Sequence, residues 1–219
     1  MLELVTKCLL AYLLGGVMGG DVMRRFVGGT DLRASGSGNV GATNALRTRG
    51  AKFALGVLAI DIGKGVVAAL ALPGLPWPLP GAAVDPAVLP FACGVGAALG
   101  HCYPVFQKFK GGKGVATLAG VFIALLPNAA PWLIAAFALV VMLSGYVSLA
   151  SISAGVVALF YVACVGDGAL STKGIFTAVM LALILFKHRE NIVRLFQGRE
   201  SRFEKARVLG RLFDGKRAS

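Results

Sequence analysis

The chain has 219 residues, of which 57% are hydrophobic and 15% charged, and its formal net charge is +12. Soluble domains average about 25% charge, so this composition excludes an ordinary soluble globular protein. The basic residues gather in a few stretches that alternate with uncharged runs, which points away from nucleic acid and toward a membrane.

Uncharged runs cover Leu9 to Gly20, Val66 to Val84, Ala87 to Gly100, Val115 to Leu143 and Ser144 to Val165. A spanning helix needs roughly 20 mainly apolar residues. The pattern predicts an all-α integral membrane protein with seven transmembrane helices, at 4–22, 52–72, 87–103, 114–127, 130–147, 149–165 and 172–187. The first is kept as an anchor, because Gly16-Val17-Met18-Gly19-Gly20-Asp21 is a poor match to a small-residue cleavage site. The fourth is short, and Pro127 and Pro131 bracket the turn after it. Gly145-Tyr146-Val147-Ser148 supplies the turn that divides the long run from Pro131 to Val165. Arg24, Arg25, Arg33, Arg47, Arg49 and Lys52 fall in one connection, and Lys108, Lys110 and Lys113 in a second. A further basic group runs from Lys187 to Arg217, whereas Pro73 to Pro86 and Pro127 to Pro131 hold no Lys or Arg. Loops rich in Lys and Arg stay inside, which places the N-terminus outside and the C-terminus in the cytoplasm.

The stretch LPGLPWPLPGAAVDP is expected to be an ordered or extended surface connection. Residues 1–202 read as a single membrane domain and 203–219 as a basic cytoplasmic tail. In that tail Phe203, Val208, Leu209, Leu212 and Phe213 interleave with Arg and Lys, a pattern that suits anionic lipid. Cys8, Cys93, Cys102 and Cys164 show no CxxC spacing and lie in or beside apolar runs, so buried thiols are expected rather than zinc ligands or disulfides.

Three polar segments fall on the side predicted to be cytoplasmic. The first is SGSGNVGATNALR, from Ser35 to Arg47. Its glycines, Gly38 and Gly41 among them, allow close backbone approach to a ligand. Successive N–H groups make an anion-binding nest, to which Ser35, Ser37, Asn39, Thr43 and Asn44 add donors. Arg47 offers a planar clamp for phosphate; a flexible loop with a lipid-facing Arg is the alternative. The second is GHCYPVFQKFKGGKGVAT, from Gly100 and His101 through Lys110, Gly111, Gly112, Lys113 and Gly114 to Thr117. A glycine loop ahead of an apolar helix presents unpaired N–H groups and the positive end of the dipole to phosphate. It is not a Walker A loop, because Gln107 stands where a Gly is required and Gly114 follows Lys113. A simple positive-inside anchor explains the lysines but not the glycines. The third is HRENIVRLFQGRE, in which His188 and Asn191 share a helix face and Glu190 can pair with Arg194. Inside the second span, Asp61 and Lys64 stand three residues apart and can neutralise each other as a structural pair, or Lys64 can add positive potential beneath a phosphate site. Ser148, Ser151 and Ser153 serve either as helix-packing glue or as donors.

In this order, the three segments resemble the signature motifs of the acyl-phosphate-dependent glycerol-3-phosphate acyltransferases of bacteria (the PlsY family). The resemblance implies a multi-pass protein of the bacterial cell (inner) membrane, with its active site facing the cytoplasm. It implies transfer of a fatty acyl group from acyl phosphate to the 1-hydroxyl of glycerol 3-phosphate, giving lysophosphatidic acid and phosphate for phospholipid synthesis. It also implies no acyl-CoA or acyl-carrier-protein donor, no cofactor and no metal. The expected partners are acyl phosphate, glycerol 3-phosphate and membrane lipid, with no nucleic acid, and a monomer is the expected state. Ser37 and Arg47 match the essential residues of the first motif; Gly111, Gly112, Lys113 and Gly114 match the glycerol-phosphate loop. His188 and Asn191 match the critical pair of the third, with Glu200 structural. Either Lys110 or Lys113 is the catalytic lysine. His101, Thr117, Lys64 and Ser153 join the candidate binding residues, with Asp61 structural.

The residues agree with that chemistry on their own terms. Acyl phosphate carries a good leaving group, so positioning and oxyanion stabilisation suffice, and the sequence has no GxSxG nucleophile elbow. The proton of the attacking hydroxyl goes to His188 or to a substrate phosphate. HxxxxD, the pattern of acyl-CoA-type enzymes, is absent, since Phe106 lies five residues after His101 and Val193 five after His188. A small-anion transporter and a lipid phosphatase are the rival readings. Against the first, the broken helices and midplane polar groups of a transporter are sparse, although the Asp61–Lys64 pair would suit it. The second needs a stronger nucleophile or metal ligands, and carboxylates are scarce.

Overall fold

Eleven α-helices and three short 3-10 helices, and no strand, make up the regular structure among the described residues of the computed structural model, 1–78 and 84–215. Part of the proline-rich connection and the last residues of the tail lie outside that description. The chain forms two compact units, Met1–Pro127 and Asn128–Ser219.

In the first unit, α1 (Leu2–Gly15) and α2 (Gly19–Val27) meet at a 47° bend. The sequence predicts one continuous helix there. The break is stabilised from outside the helix, because the Val17 carbonyl accepts a bond from Lys64 at 2.7 Å and the Gly19 N–H donates to Asp61 at 3.2 Å. Freed backbone groups tolerate burial only when they find such partners. α3 (Ala42–Arg49) leads into α4 (Ala51–Gly74), and α5 (Leu89–Cys102) and α6 (Val115–Leu125) complete the unit. α1 packs on α5 and α4 on α6. At the α4–α6 crossing a methyl group on Gly65 would overlap the Thr117 carbonyl, and one on Gly120 the Ile62 carbonyl. Glycine at both positions lets the backbones approach closely. Lys7, buried on α1, donates to Glu3 and to the carbonyls of Pro73 and Leu75, each at 2.8 Å, and so closes the end of α4.

The second unit opens with a helical hairpin of α7 (Ala130–Ser144) and α8 (Val147–Cys164). Gly145, at φ +76°, makes the turn where the sequence placed one. α9 (Thr172–Lys187) passes through His188 into α10 (Arg189–Phe196). The tail folds back on this hairpin: the Phe203 N–H donates to Gly145 at 2.8 Å, Arg202 stacks over Tyr146, and α11 (Val208–Gly215) packs on α7.

α4, α8 and the segment from Leu89 to Gln107 are long and apolar enough to cross a membrane, and α1 with α2 make a fourth if the bent pair is one span. α6 and α7 are shorter apolar helices. No disulfide joins the four cysteines; Cys93 and Cys102 are buried and Cys8 partly so, but Cys164 is exposed, contrary to the expectation of a buried thiol.

Candidate functional site

The first segment is shaped by Asn44. Its buried amide donates to the carbonyls of Leu32, Ser35 and Asn39 at 2.8–3.0 Å, and its Oδ1 accepts the Ser37 N–H at 2.9 Å. A side chain at Gly36, where φ is +60°, would overlap Asn44 Oδ1. Asn39 folds the next turn by accepting the Gly41 N–H at 2.9 Å. The sequence reads Asn39 and Asn44 as ligand donors; the structure turns the amide donor of Asn44 onto the loop itself, and of Asn39 it engages the Oδ1 there. Ser37 and Arg47 are exposed and Thr43 partly so, whereas the Ser35 Oγ is buried with no hydrogen-bond partner. Gly41 starts α3 with no side-chain cap, leaving the first-turn N–H groups open to an anion.

The second segment lies against a buried polar cluster. Lys64 Nζ stands 2.8 Å from Asp61 Oδ1, 2.7 Å from the Val17 carbonyl and 2.8 Å from His101 Nδ1. An ammonium has three protons and accepts nothing, so these contacts use all of them. His101 Nδ1 is therefore an acceptor, and in the neutral ring the proton sits on Nε2. Thr117 Oγ1 is 3.1 Å from the same Nδ1. The Nε2 end faces the glycine loop: a methyl group on Gly112 would overlap it, and one on Gly111 would overlap the His101 carbonyl. That carbonyl accepts the Gly112 N–H at 3.0 Å. The loop is strained where it turns, with Lys108 at φ 52° and Phe109 at φ 61°. Left-handed non-glycine residues cost on the order of 1 kcal/mol each and cluster at functional sites. Lys110 is exposed, Lys113 partly buried, and Gly114 in the left-handed conformation starts α6 without a side-chain cap.

In the second unit His188 is buried where α9 meets α10. Its Nδ1 lies 2.8 Å from the Ile184 carbonyl, which can only accept, so Nδ1 carries the proton and Nε2 is the basic nitrogen of the neutral ring. Glu200 gathers the polar groups around it. Its Oε1 accepts from Asn191 at 2.6 Å and from Ser148 at 2.8 Å, and its Oε2 from Arg194 Nε at 2.8 Å. Burial by itself pushes the Glu200 carboxyl up, but the bonds from Asn191, Arg194 and Ser148 outweigh it and hold its pKa below the usual glutamate range. The predicted partner of Arg194, Glu190, is 3.9 Å away at the surface and is secondary to Glu200. Ser151 bonds back to the Val147 carbonyl, and Ser153 is half-buried.

Sequence reasoning paired Asp61 with Lys64 but missed that His101, 37 positions on, completes the cluster. It also missed Arg33, whose guanidinium forks onto both oxygens of Asp21 at 2.8 and 3.1 Å. Neither partnership has a sequence spacing that signals it.

The family model described as glycerol-3-phosphate acyltransferase matches residues 5–198. The chain is 42% identical over 194 residues to a glycerol-3-phosphate acyltransferase of Aquifex aeolicus, covering 88% of this chain and 95% of the relative. It is 37% identical over 196 residues to that of Bacillus velezensis, covering 90% and 95%. It is also similar to a crystal structure of PlsY (YgiH), an integral membrane glycerol 3-phosphate acyltransferase, in the glycerol 3-phosphate form. The TM-score is 0.81 at 38% identity, over 94% of this chain and 98% of that one. The lysophosphatidic acid form of that protein matches with a TM-score of 0.80 at 37% identity, with the same coverage.

Two stability measurements test these hubs. Removing one member of a buried ion pair costs about 3–5 kcal/mol, whereas replacing both costs less. Asp61→Ala should therefore lower the thermal midpoint in detergent more than Asp61→Ala combined with Lys64→Met; additive losses contradict the pairing. The depressed Glu200 pKa contributes stability that is fully present above the unfolded value of about 4.3 and is lost as pH falls through the lower folded value. Wild type should lose thermal stability more steeply than Glu200→Gln on acidification below about pH 4.3; parallel curves contradict the assignment.

Proposed function

The chain belongs to the glycerol-3-phosphate acyltransferase family, and on that premise we propose that its acyl donor is acyl phosphate and its acceptor the 1-hydroxyl of glycerol 3-phosphate. The hydroxyl oxygen attacks the acyl carbonyl carbon, the bond from that carbon to the phosphate oxygen breaks, and phosphate departs with the electron pair. The products are lysophosphatidic acid and inorganic phosphate, and the hydroxyl proton passes to His188 Nε2 or to the departing phosphate. Residues 1–202 act as one acyltransferase domain of a bacterial inner membrane. The chain crosses seven times, with its N-terminus outside and its working face in the cytoplasm.

The observation that carries this reading is the buried Lys64 ammonium with His101 and Thr117 against the Gly111–Gly114 loop. Asp61 neutralises Lys64, which fixes the His101 ring, and the Nε2–H of that ring under closely approachable backbone, beside an uncapped helix start, suits a phosphate dianion. The first segment repeats the device with a second uncapped start, the unpartnered Ser35 hydroxyl and Arg47. Two phosphate-suited seats match a reaction whose two substrates are both phosphorylated. Partial burial favours Lys113 over the exposed Lys110 as the lysine facing substrate. Ser37 and Arg47 bind and orient one phosphate, Lys113 and the glycines the other, and Asn191 with His188 addresses the reacting hydroxyl. Glu200 holds Asn191 in place. The two histidines have complementary roles: His101 offers Nε2–H as a donor for developing negative charge, and His188 offers Nε2 as an acceptor for the proton.

Purified protein given palmitoyl phosphate and glycerol 3-phosphate should form lysophosphatidic acid without added metal. Arg47→Ala should lower kcat/KM about 100-fold, the effect of losing one charge-assisted phosphate contact of about 2.7 kcal/mol in a site. Phosphate release without acylated product, or anion flux without turnover, contradicts acyl transfer, and an unchanged rate removes Arg47 from the site.

A further inference from the structure

A cleft of about 510 Å³ lies in the first unit at the bend between α1 and α2, outside the candidate site set. Its walls include Val17, Val22 and Phe106, and its polar lining includes Arg24, Arg25 and Gln107. Asp21 is the acidic residue among the lining residues, and both its oxygens are already engaged by Arg33. Arg24 is held loosely to Asp31 at 3.4 Å, and Arg25 makes no ion pair or hydrogen bond among the described residues. The cleft therefore carries uncompensated positive charge beside an apolar wall, in which Phe106 is 69% and Val17 41% exposed.

Gln107 adds an independent sign of a ligand. Its Oε1 is buried without a hydrogen-bond partner, and its Nε2 reaches Asp21 only at 3.4 Å. A buried unpaired carbonyl is unfavourable, and a weakly tethered amide can turn to meet a donor that a ligand brings. The cleft also adjoins the candidate site at two points. Val17, in its wall, gives its carbonyl to Lys64, and the Gln107 carbonyl accepts the Lys110 N–H at 3.0 Å.

We propose that this cleft is a seat for a single-chain phosphate amphiphile with a head-group hydroxyl on its way from the acyl-transfer site. The phosphate bonds to the forked guanidinium groups of Arg24 and Arg25. The first carbons of the chain lie along Val17, Val22 and Phe106, and a head-group hydroxyl donates to Gln107 Oε1. The volume falls in the range of about 300–1,000 Å³ typical of a site for one small ligand, which suits one chain better than two. The inference rests on the acyl-transfer reading for its choice of amphiphile: the monoacyl glycerol phosphate product has both the phosphate and the hydroxyl, whereas the acyl phosphate donor has the phosphate alone.

The test is photolabelling of the full chain in phosphatidylcholine nanodiscs with a 1-acyl glycerol 3-phosphate carrying a diazirine in its acyl chain, mapped by mass spectrometry. Labelling should fall on the segments Val17 to Arg25 and Val105 to Gln107. It should drop about tenfold in Arg24→Gln/Arg25→Gln, as expected for loss of charge-assisted bonds worth about 1.4 kcal/mol in total. Arg25→Gln, which breaks no ion pair among the described residues, should lower it in the same direction with the thermal midpoint unchanged. Stronger competition by unlabelled lysophosphatidic acid than by a non-hydrolysable acyl phosphonate supports the proposal, and the reverse order, which needs no hydroxyl on Gln107, contradicts it. Equal displacement by diacyl phosphatidate, absence of label from both segments, or labelling insensitive to the two arginines overturns it. Labelling is read without turnover, so loss of the acyl-transfer reading and loss of the seat appear in different measurements.

Discussion

A lysine ammonium buried in an apolar helix bundle is the constraint around which the first unit is organised. An unpaired charge there is expensive, and the fold meets that demand by bringing three acceptors from different elements to Lys64. Asp61 is local to α4, but the Val17 carbonyl requires the chain to unwind between α1 and α2, and His101 requires α5 to end beside α4. The bend, the placement of α5 and the tautomer of His101 are thus consequences of one desolvated charge. The Gly65–Gly120 crossing serves the same end, because only backbones that close brings Thr117 to the histidine.

The second unit solves a similar problem with a carboxylate. Glu200 accepts from Ser148 on α8 and from Asn191 and Arg194 on α10, so a residue just beyond α10 fixes the helix to its neighbour. The glutamate stays ionised because three donors compensate its burial. Each unit therefore carries one histidine whose Nδ1 is committed to a structural bond and whose Nε2 is left with a defined role. Fixed tautomers are a form of preorganisation, on which the proposed direct acyl transfer relies.

Much of the helical framework was legible in composition alone, because uncharged runs and breaker residues are one-dimensional signals. The turn at Gly145 was predicted from its neighbours and is present, and the Asp61–Lys64 pair followed from helical spacing. The bend at Gly16 to Met18 was not legible, since the groups that stabilise it belong to residues more than 40 positions away. Asn44 illustrates the same limit in the functional loop. Its residue type suggested a ligand donor, yet each of its polar groups is turned inward, and only the folded loop reveals that its carbonyl partners surround one amide. Polar residues in the motifs thus divide into those that meet a ligand and those that shape the loop, a distinction that residue type does not encode.

The central claim is that cationic segments far apart in sequence enclose two phosphorylated molecules at once. The most direct measurement is a structure of the full chain with glycerol 3-phosphate and a non-hydrolysable acyl phosphonate bound together. The account predicts that Arg47, Lys113 and the His188–Asn191 pair each contact one of the two ligands, with the acceptor hydroxyl beside the acyl carbon. Ligands held by a single segment, or seated at separated sites with no approach between hydroxyl and acyl group, contradict it.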